Sequence, residues 1–294
     1  MISFTRLFAA VVFGRVSTAL AMPALNSRAS PDLICGGDRL SISSLPSANE
    51  TLLAHGPDPS LTGTEVKVHW NVIHADETFN GGYLTSDQVD AAINALNEHF
   101  AVSGISFERA NLQYTNNSDW FANASIGDTE LDNPQAAAMK DQLHTGTAQD
   151  LNIYSVGFQT SNLGGYATFP WWYKDSPKRD GVLFKWNTIP GDQSLPNYSQ
   201  GKILVHEVGH WTGLYHTFQG GCSDSEGDYV SDTPAEAAAT FGCPTSPTDT
   251  CPDLPGFDPV HNHMDYTYDA CKTDTFTPGQ VSRMQAAMQE FRSE

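Results

Sequence analysis

The sequence predicts an α+β fold, in which strands and helices are mixed along one chain of 294 residues. Three observations support this. Five segments have the composition and alternation of strands, and four others have apolar residues at helical spacing. The composition is 39% hydrophobic with fifteen Phe and six Trp, which is enough for a sizeable core. Because no internal repeat or long low-complexity segment divides the chain, we expect one large domain.

The first half of the chain predicts two strands and two helices. Residues 64–75 alternate and are rich in β-branched side chains, which indicates a strand, and residues 105–114 predict a second one. Residues 134–143 predict a short helix. A longer helix opens at Thr85 and ends at Gly104, and its apolar positions recur at helical spacing at Val89, Ala92, Ile93, Leu96 and Phe100.

The second half predicts three more strands. Residues 150–158 have the pattern of a buried strand, and residues 181–186 predict another. Pro170 cannot donate to a ladder, so the strand that precedes it, residues 165–169, is expected at a sheet edge. Two helices complete the predicted elements, over residues 199–213 and 278–292.

The predicted edge strand suggests how a polypeptide could bind. An extended peptide can add to a free sheet edge by β-augmentation, in which backbone hydrogen bonds supply the affinity. Gly165, Tyr166 and Ala167 are the residues of this edge that would form such a ladder. The alternative is a protected structural edge, and the two interpretations are compatible.

The segment that begins at His206 reads His-Glu-Val-Gly-His-Trp-Thr-Gly-Leu-Tyr-His. His206 and His210 are four residues apart on the predicted helix, so both imidazoles face the same side and can reach one metal ion. Glu207 then lies beside the metal as a candidate general base. Gly213 can take the positive φ that ends the helix and lets the chain bring in His216 as a third ligand. Three imidazoles leave the fourth zinc position for water, as in catalytic sites.

The extended motif is far more specific than its first half. Two histidines and a glutamate at this spacing can occur by chance on any helix, where they would be a solvated pair beside an ion-pairing carboxylate. Five fixed positions in eleven residues make a chance match very improbable. Farther along the chain, His-Asn-His-Met-Asp-Tyr supplies Met264, the candidate for a methionine turn beneath the metal, with Tyr266 two residues later.

These motifs, with Ser-Asp-Thr-Pro after the third histidine and the Cys271 that follows the methionine, closely resemble the pappalysin (cytophagalysin) family of metzincins, in its secreted fungal branch. The resemblance covers most of the chain from about Cys35 to the C-terminus. It implies a metzincin fold, with a twisted five-stranded mixed sheet, an active-site helix, a Met-turn and a C-terminal helix. His263 departs from the pattern, because an apolar or aromatic residue is expected before the methionine. We interpret it as a packing or hydrogen-bonding residue.

The resemblance implies a zinc endopeptidase that hydrolyses extended polypeptides. Glu207 would take a proton from water and deliver it to the leaving amine. Tyr266 is a candidate hydrogen-bond donor to the oxyanion, although a core tyrosine with a satisfied hydroxyl explains it equally well. Met264 would shape the site without chemistry. Two alternatives remain open: a non-catalytic zinc-binding module on a protease fold, and a zinc hydrolase that acts on other bonds. The first is disfavoured because every ligand and the glutamate are present.

The N-terminus predicts export. Residues 1–21 have the apolar run and the small-x-small ending of a signal peptide, residues 22–60 are expected to be a pro-region, and residues 61–294 the catalytic domain. The run is shorter than a membrane span needs. Cleavage would leave 13 basic and 34 acidic residues, a net charge of −21. Such a surface repels nucleic acid and anionic membranes, so we expect a secreted monomer with polypeptide partners.

Five cysteines in an exported chain are an odd number, so one of them lies outside any set of disulfide pairs within the chain. Four of them lie within one stretch of fifty residues, around an irregular, Pro/Gly/Asp-rich segment. Four cysteines allow three connectivities, and their spacing does not choose between them. The resemblance implies the pairs Cys222–Cys251 and Cys243–Cys271. The fifth, Cys35, could occupy the fourth zinc position and keep the enzyme latent, because a thiolate is a strong zinc ligand. The alternative is a free thiol near the terminus.

Two further kinds of site are predicted from side-chain chemistry. One irregular loop is rich in the hard oxygen ligands that suit Ca²⁺: Asp224, Glu226, Asp228, Asp232 and Thr233. The alternative is an acidic loop that is solvated and binds no ion. Four N-x-S/T sequons fit a glycosylating secretory route: Asn49, Asn116, Asn123 and Asn197. Asp269, five residues after the methionine, could favour Lys or Arg in the primed-side pocket or could bind solvent. The sequence does not fix the side-chain preference.

Overall fold

The computed structural model describes residues 32–36, 63–127, 132–223 and 227–293. Within these ranges the strands are β1 (Ile34–Cys35), β2 (Thr64–His74), β3 (Ile105–Asn116), β4 (Leu151–Val156), β5 (Leu163–Ala167) and β6 (Val182–Lys185). The α-helices are α1 (Ser86–Phe100), α2 (Ser118–Asn123), α3 (Pro134–Leu143), α4 (Lys202–Trp211) and α5 (Pro278–Phe291). The predicted signal peptide and the sequon at Asn49 lie outside the described residues.

The six strands form one mixed sheet in the order β1-β5-β6-β4-β2-β3. All neighbours are parallel except β5 and β6, which are antiparallel. The α+β prediction is confirmed, and the five predicted strands are β2 to β6. The prediction that the strand before Pro170 lies at the sheet edge is wrong for this structure, because β1 pairs with its outer side. Strand β5 would lie at the edge of the sheet only if β1 were absent.

Two apolar layers cover the faces of the sheet. Because side chains alternate along a strand, Trp70 and its even-numbered neighbours on β2 face one side, and Ile73 faces the other. The first face packs against α1 and α4 in the main core. The second packs against α2 and α3 through Phe121 and Met139. The helix that carries the metal motif is therefore held rigidly against the sheet.

The longest helices begin at the side chains that favour such starts. Thr85 and Gln88 form a capping box at the start of α1, and Thr277 and Gln280 form another at the start of α5. A 3₁₀ turn follows α1 and ends at Gly104, whose φ of 73° lies in the left-handed region. The structure therefore confirms that this helix begins at the Thr85 cap and that its 3₁₀ extension ends at Gly104.

A long irregular segment joins α4 to α5. Two interleaved disulfides cross it, Cys222–Cys251 and Cys243–Cys271, with Cα–Cα distances of 5.4 and 5.3 Å. This is the pairing that the family resemblance implied. Covalent ties order a segment that has little apolar material of its own.

No helix within the described ranges is both long enough and apolar enough to cross a bilayer.

Candidate metal centre

Helix α4 ends where the sequence motif requires a change of direction. Gly213 has a φ of 106°, which a residue with a side chain rarely adopts. A Cβ at this position would also lie 2.7 Å from Cβ of Ala287 on α5. Arg283 of the same helix donates from Nε to the Gly213 carbonyl at 2.8 Å. The chain therefore turns back at a fixed point and brings His216 beside the end of α4.

The three motif histidines converge through their Nε2 atoms. Nε2 of His210 lies 3.1 Å from Nε2 of His206 and 3.0 Å from Nε2 of His216. Ligands at the usual zinc–nitrogen distance in a tetrahedron stand roughly 3.3 Å apart. The three ligand atoms and Cys35 Sγ all lie within 4.8 Å of one another. The chemistry and spacing of this donor set fit Zn²⁺.

Backbone carbonyls orient two of the imidazoles. His206 Nδ1 lies 2.7 Å from the His263 carbonyl, and His210 Nδ1 lies 2.7 Å from the Leu214 carbonyl. A proton on Nδ1 that is shared with a carbonyl leaves the Nε2 lone pair for a metal. Burial lowers the pKa of His210 to about 4 and holds the pKa of His206 and His216 well below the ordinary value. All three rings are therefore neutral ligands near neutral pH.

Glu207 lies beside these ligands and is only 1% exposed. Its side chain packs directly on β5, since a Cβ at Gly165 would come within 2.6 Å of Glu207 Cγ. The thiol of Cys35 donates to Glu207 Oε2 at 3.3 Å. The carboxylate is therefore enclosed by the two neighbouring strands β5 and β1.

Met264 forms the floor of the site. It is fully buried, and a Cβ at Gly209 of α4 would come within 2.5 Å of Met264 Sδ. Asn262 Oδ1 accepts from the Met264 N–H at 2.9 Å, and the amides of Asn262 and Gln280 exchange two hydrogen bonds at 2.9 and 3.0 Å. The methionine turn is thus fixed to both α4 and α5.

Tyr266 stands on the other side of the ligands. Its ring centroid is 5.0 Å from that of His216 and 5.7 Å from that of His206. Its hydroxyl donates to the Cys35 carbonyl at 3.2 Å. A peptide carbonyl is therefore held beside the metal ligands by the same tyrosine that the sequence suggested as an oxyanion donor.

The ring of His263 is buried between two other rings. It lies 4.6 Å from the ring of His99 and 5.1 Å from that of Phe276, and neither ring nitrogen has a partner within the described ranges. Burial holds its pKa well below the ordinary value. The ring is a packing group, whereas its backbone carbonyl orients His206.

Two buried lysines that sequence reasoning missed lie under the methionine turn. Lys272 is 2% exposed and donates from Nζ to the His263 carbonyl at 3.0 Å and to the Asp265 carbonyl. Lys202, at the start of α4, donates to the carbonyls of Asp269 and Lys272 at 2.8 and 2.7 Å. Lysines are rarely buried, so no pattern in the sequence could have assigned these roles.

The acidic loop forms a separate region. Asp228 is buried and accepts from the Val230 N–H at 3.0 Å and from the Thr233 hydroxyl at 2.8 Å. Burial raises its pKa to about 7. Asp232 accepts from Thr277 Oγ1 at 2.7 Å and from Gly279 N at 2.9 Å. A cavity of about 450 Å³ adjoins both carboxylates. Asp224 and Glu226 lie outside the described residues.

The other residues that the sequence predicted to be functional are not part of the group of metal ligands. Asn116 is exposed at the end of β3, while Asn123 and Asn197 are partly exposed. Asp269 is buried, and its Oδ2 accepts from Gln200 N at 2.8 Å. Tyr166 of β5 points to the second core, where its hydroxyl donates to Asp132 at 2.7 Å. Only the backbone of Tyr166 is therefore available to a ladder.

Comparison with known proteins agrees with this geometry. A family model described as pregnancy-associated plasma protein-A, peptidase family M43, matches residues 160–289. An extracellular metalloprotease of Sordaria macrospora is 42% identical over 240 residues, which are 78% of this chain and 76% of that protein. One from Pyricularia oryzae is 40% identical over 247 residues, covering 84% and 81%.

Two solved structures share the fold. A promirolysin variant of Tannerella forsythia superposes with a TM-score of 0.65 and 27% identity, over 85% of this chain and 88% of that one. Mature mirolysin in complex with a cleaved peptide has a TM-score of 0.59 and 28% identity, over 76% and 90%. This chain therefore belongs to the pappalysin family of zinc metalloproteases, peptidase family M43, with extracellular fungal enzymes among its relatives.

Proposed function

We propose that the protein is a secreted zinc endopeptidase in which His206, His210 and His216 hold the ion and Glu207 is the general base. The observation that carries this proposal is the convergence of three buried, neutral Nε2 atoms beside a buried carboxylate. Zinc bound there would polarise a scissile carbonyl and lower the pKa of a water molecule to about 7.

The residues of the chain supply proton transfer and charge stabilisation. Glu207 is enclosed against β5, so its carboxylate is positioned to take a proton from water and pass it to the leaving amine. The Tyr266 hydroxyl donates to the Cys35 carbonyl, a peptide carbonyl that lies beside the metal ligands. We infer that the same hydroxyl donates to the oxyanion of the transition state, where a hydrogen bond gains strength as charge develops.

Strand β5 is the proposed substrate ladder. Gly165, Tyr166 and Ala167 pair with β6 on one side, and the opposite side of the strand pairs with β1. When β1 is absent, the same backbone groups are open to an extended polypeptide, which can be bound by β-augmentation. Gly165 has a second role, because any larger residue would displace Glu207.

We further propose that β1 keeps the enzyme latent. Cys35 Sγ belongs to the same donor cluster as the three histidines, so its thiolate would take the fourth zinc position. In support, the promirolysin structure covers 85% of this chain, whereas mature mirolysin covers 76%. Latency would end when residues 22–60 are cleaved. A Cys35→Ser variant should therefore show activity before processing, and a variant that stays fully latent would contradict the switch.

The decisive test of the catalytic proposal is Glu207→Gln, with Glu290→Gln on the exposed surface of α5 as the matched control. After processing, the first variant should retain zinc by metal analysis but lose at least 100-fold in casein hydrolysis, the lower range for a lost general base. The control should match the parent enzyme. Full activity in Glu207→Gln would exclude Glu207 as the general base, and parent activity that survives zinc chelation would exclude zinc catalysis. A processed parent protein that cleaves no casein would favour a zinc-binding module or a different reaction.

We also propose that the protein is secreted and glycosylated, which the leader sequence and the exposed sequon at Asn116 support. The two disulfides support the same compartment, because they persist in an oxidising environment. Expression with and without a glycosidase step would show a mass shift if Asn116, Asn123 or Asn197 carries a glycan. We expect the shift to disappear in Asn116→Gln if only the most exposed of these sites is used.

Calcium is the proposed second cofactor, at the loop of Asp224, Asp228, Asp232 and Thr233. Asp228 supports it, because a buried carboxylate whose pKa is raised to about 7 would be stabilised as an anion by a nearby cation. At fixed free zinc, adding Ca²⁺ should raise the melting temperature, and Asp228→Asn should reduce that increase. An unchanged melting temperature in the parent protein would exclude the site.

A further inference from the structure

Three aromatic rings form a surface patch where strand β2 ends: His74, Tyr83 and Tyr114. The rings of Tyr83 and Tyr114 stack with their centroids 4.8 Å apart and an interplanar angle of 20°. The His74 ring meets both of them edge-on. Tyr114 is 37% exposed and is one of four large hydrophobic side chains that are exposed within the described ranges. This aromatic patch contains none of the groups assigned to the metal centre.

The side chain of Asn116 stands beside the aromatic patch, on the same face of the sheet. Along the β2–β3 ladder, Val72 pairs with Tyr114 and His74 pairs with Asn116. Side chains two residues apart on a strand point to the same face, and neighbouring strands lie about 4.8 Å apart. Asn116 is therefore directly next to His74 and one pleat beyond Tyr114.

Asn116 also differs from the other described sequon asparagines in how freely its amide can carry a sugar. Asn116 is exposed, whereas Asn123 and Asn197 are half-buried. The Asn123 amide donates from Nδ2 to Asp119 at 2.7 Å, and the Asn197 side chain is hydrogen-bonded to Tyr268. The sequon with the most accessible asparagine is therefore the one that adjoins the aromatic patch.

The chemistry of the patch suits the first sugar of an N-linked glycan. One face of an N-acetylglucosamine ring presents C–H groups, which the electron-rich face of an aromatic ring attracts. Tyr83 covers one face of the Tyr114 ring, so the exposed surface of Tyr114 belongs to the rest of that ring. A sugar packed there removes apolar surface from water, and the ring that receives it is already held in place.

The attachment is a transfer from a lipid-linked sugar diphosphate of the secretory route to the side-chain amide. A bond forms between Asn116 Nδ2 and C1 of the sugar, while the C1–O bond to the diphosphate breaks. The amide releases a proton, and the lipid diphosphate leaves. The product keeps one N–H on Nδ2 and places the sugar one pleat from the Tyr114 ring.

We propose that an N-linked glycan on Asn116 packs its first N-acetylglucosamine against the patch of His74, Tyr83 and Tyr114 and thereby stabilises the fold. The proposal rests on the proposed glycosylation and deepens it, because it makes the first sugar a part of the folded structure. A glycan that is present but has no stabilising effect overturns only the packing. The absence of any glycan contradicts the proposed glycosylation as well.

The test begins with protein secreted from a glycosylating host, in which mass spectrometry of the peptide that contains Asn116 should show a glycan. Melting temperatures are then compared for the intact protein, protein trimmed to the first sugar by an endoglycosidase, and Asn116→Gln. The first two should agree. The variant should melt about 2–4 °C lower, the shift for one contact of aromatic-pair strength in a domain of this size. An unmodified Asn116, or equal melting temperatures in all three forms, would overturn the proposal.

A double-mutant cycle tests whether the sugar acts through the rings. In Tyr114→Thr, which keeps a residue that favours strands, the further change Asn116→Gln should no longer lower the melting temperature. Gln113→Thr is the matched control, because Gln113 is exposed on the opposite face of β3 and the full glycan effect should remain. The same loss with and without the Tyr114 ring would overturn the packing. If Tyr114→Thr does not fold, Tyr83→Leu takes its place in the cycle, because it removes the ring on which Tyr114 stacks.

Discussion

Two clusters of buried charged side chains contact helix α4, and they differ in how completely their polar atoms are paired. The Arg292 cluster consists of Arg292, Asp180, Trp211 and Thr168. The Met-turn cluster consists of Lys202, Glu236, Asp265, Asp269 and Lys272. The first joins the end of α4 to the C-terminal residues, and the second lies beside the metal ligands, where Asp265 and Lys272 line the same cavity as His206.

The Arg292 cluster is saturated with hydrogen bonds. The guanidinium makes a bidentate pair with Asp180, both bonds at 3.0 Å, and donates to the carbonyls of Trp211 and Ala148 at 3.1 Å. It also stacks 3.6 Å from the Trp211 ring centroid. Asp180 accepts further bonds from Thr168 and from the Trp211 indole N–H, at 2.8 and 2.9 Å.

The Met-turn cluster is incompletely paired. Asp265 Oδ2 and Asp269 Oδ1 are buried and have no partner within the described ranges. Burial raises the pKa of both carboxyls to about 6, although Lys272 opposes the shift in each case. The Lys272 ammonium donates to carbonyls rather than to these carboxylates. Perturbed and incompletely paired groups are typical of places where a site binds or reacts, so we infer that the Met-turn cluster serves the site and that the Arg292 cluster anchors the end of α4.

The largest expected effect comes from breaking the saturated cluster. Arg292→Met leaves Asp180 as a buried, unpaired carboxylate, so it should lower the free energy of unfolding by about 3–5 kcal/mol. The measurement is urea unfolding of the disulfide-intact protein. Arg109→Met is the matched control, because Arg109 pairs with Asp90 on the surface at 3.2 Å and should cost only about 0–1 kcal/mol. Equal losses in the two variants would show that the buried Arg292–Asp180 pair contributes no more to stability than a surface ion pair.

A smaller effect is expected from separating α4 from the methionine turn. Gly209→Ala places a Cβ 2.5 Å from Met264 Sδ, so the floor must move away from the ligands. Overpacking of this kind costs about 1–3 kcal/mol. Because Met264 and His263 share one turn, and the His263 carbonyl orients His206, zinc should also dissociate faster into a chelator. A stability loss with unchanged zinc release would mean that the turn does not position the ligand.

How much of this could be predicted from the sequence depends on whether the signal is local. His206 and His210 are one helical turn apart and Gly213 follows directly, so the motif alone specifies their arrangement. The capping box at Thr85 and the helix over 134–143 are equally local, and the structure places them where they were expected. In contrast, α2 (Ser118–Asn123) is too short to give a periodic signal, and sequence reasoning did not predict it.

The features that sequence reasoning missed depend on distant residues. Strand β1 has only two residues, and its partner on β5 is about 130 positions away, so no alternation could reveal it. The sequence identifies Cys35 as the odd cysteine. Its contact with Glu207 could not be predicted, because that contact depends on the pairing of β1 with β5. The burial of Lys202 and Lys272 was equally unpredictable, because their partners are backbone carbonyls, which carry no residue-specific signal.

The smallest expected effect is a difference between the two clusters in how the stability of the fold depends on pH. Burial raises the pKa of Glu236 to about 8, with the neighbouring Asp265 charge acting in the same direction. Between about pH 4.5 and 8 the unfolded chain releases this proton while the folded protein keeps it, so this group stabilises the fold at low pH and its contribution is lost as pH rises through 8. The guanidinium of Arg292 stays charged throughout this range and adds no such slope.

Glu236→Gln should therefore flatten the fall in melting temperature between pH 5 and 8. The amide can still accept a hydrogen bond from Thr217 or Thr240, whose hydroxyls now donate to the carboxyl at 3.0 and 2.8 Å. Glu290→Gln, on the exposed surface of α5, should leave the slope unchanged. If Glu236→Gln keeps the full slope, the carboxyl is already ionised in the folded protein.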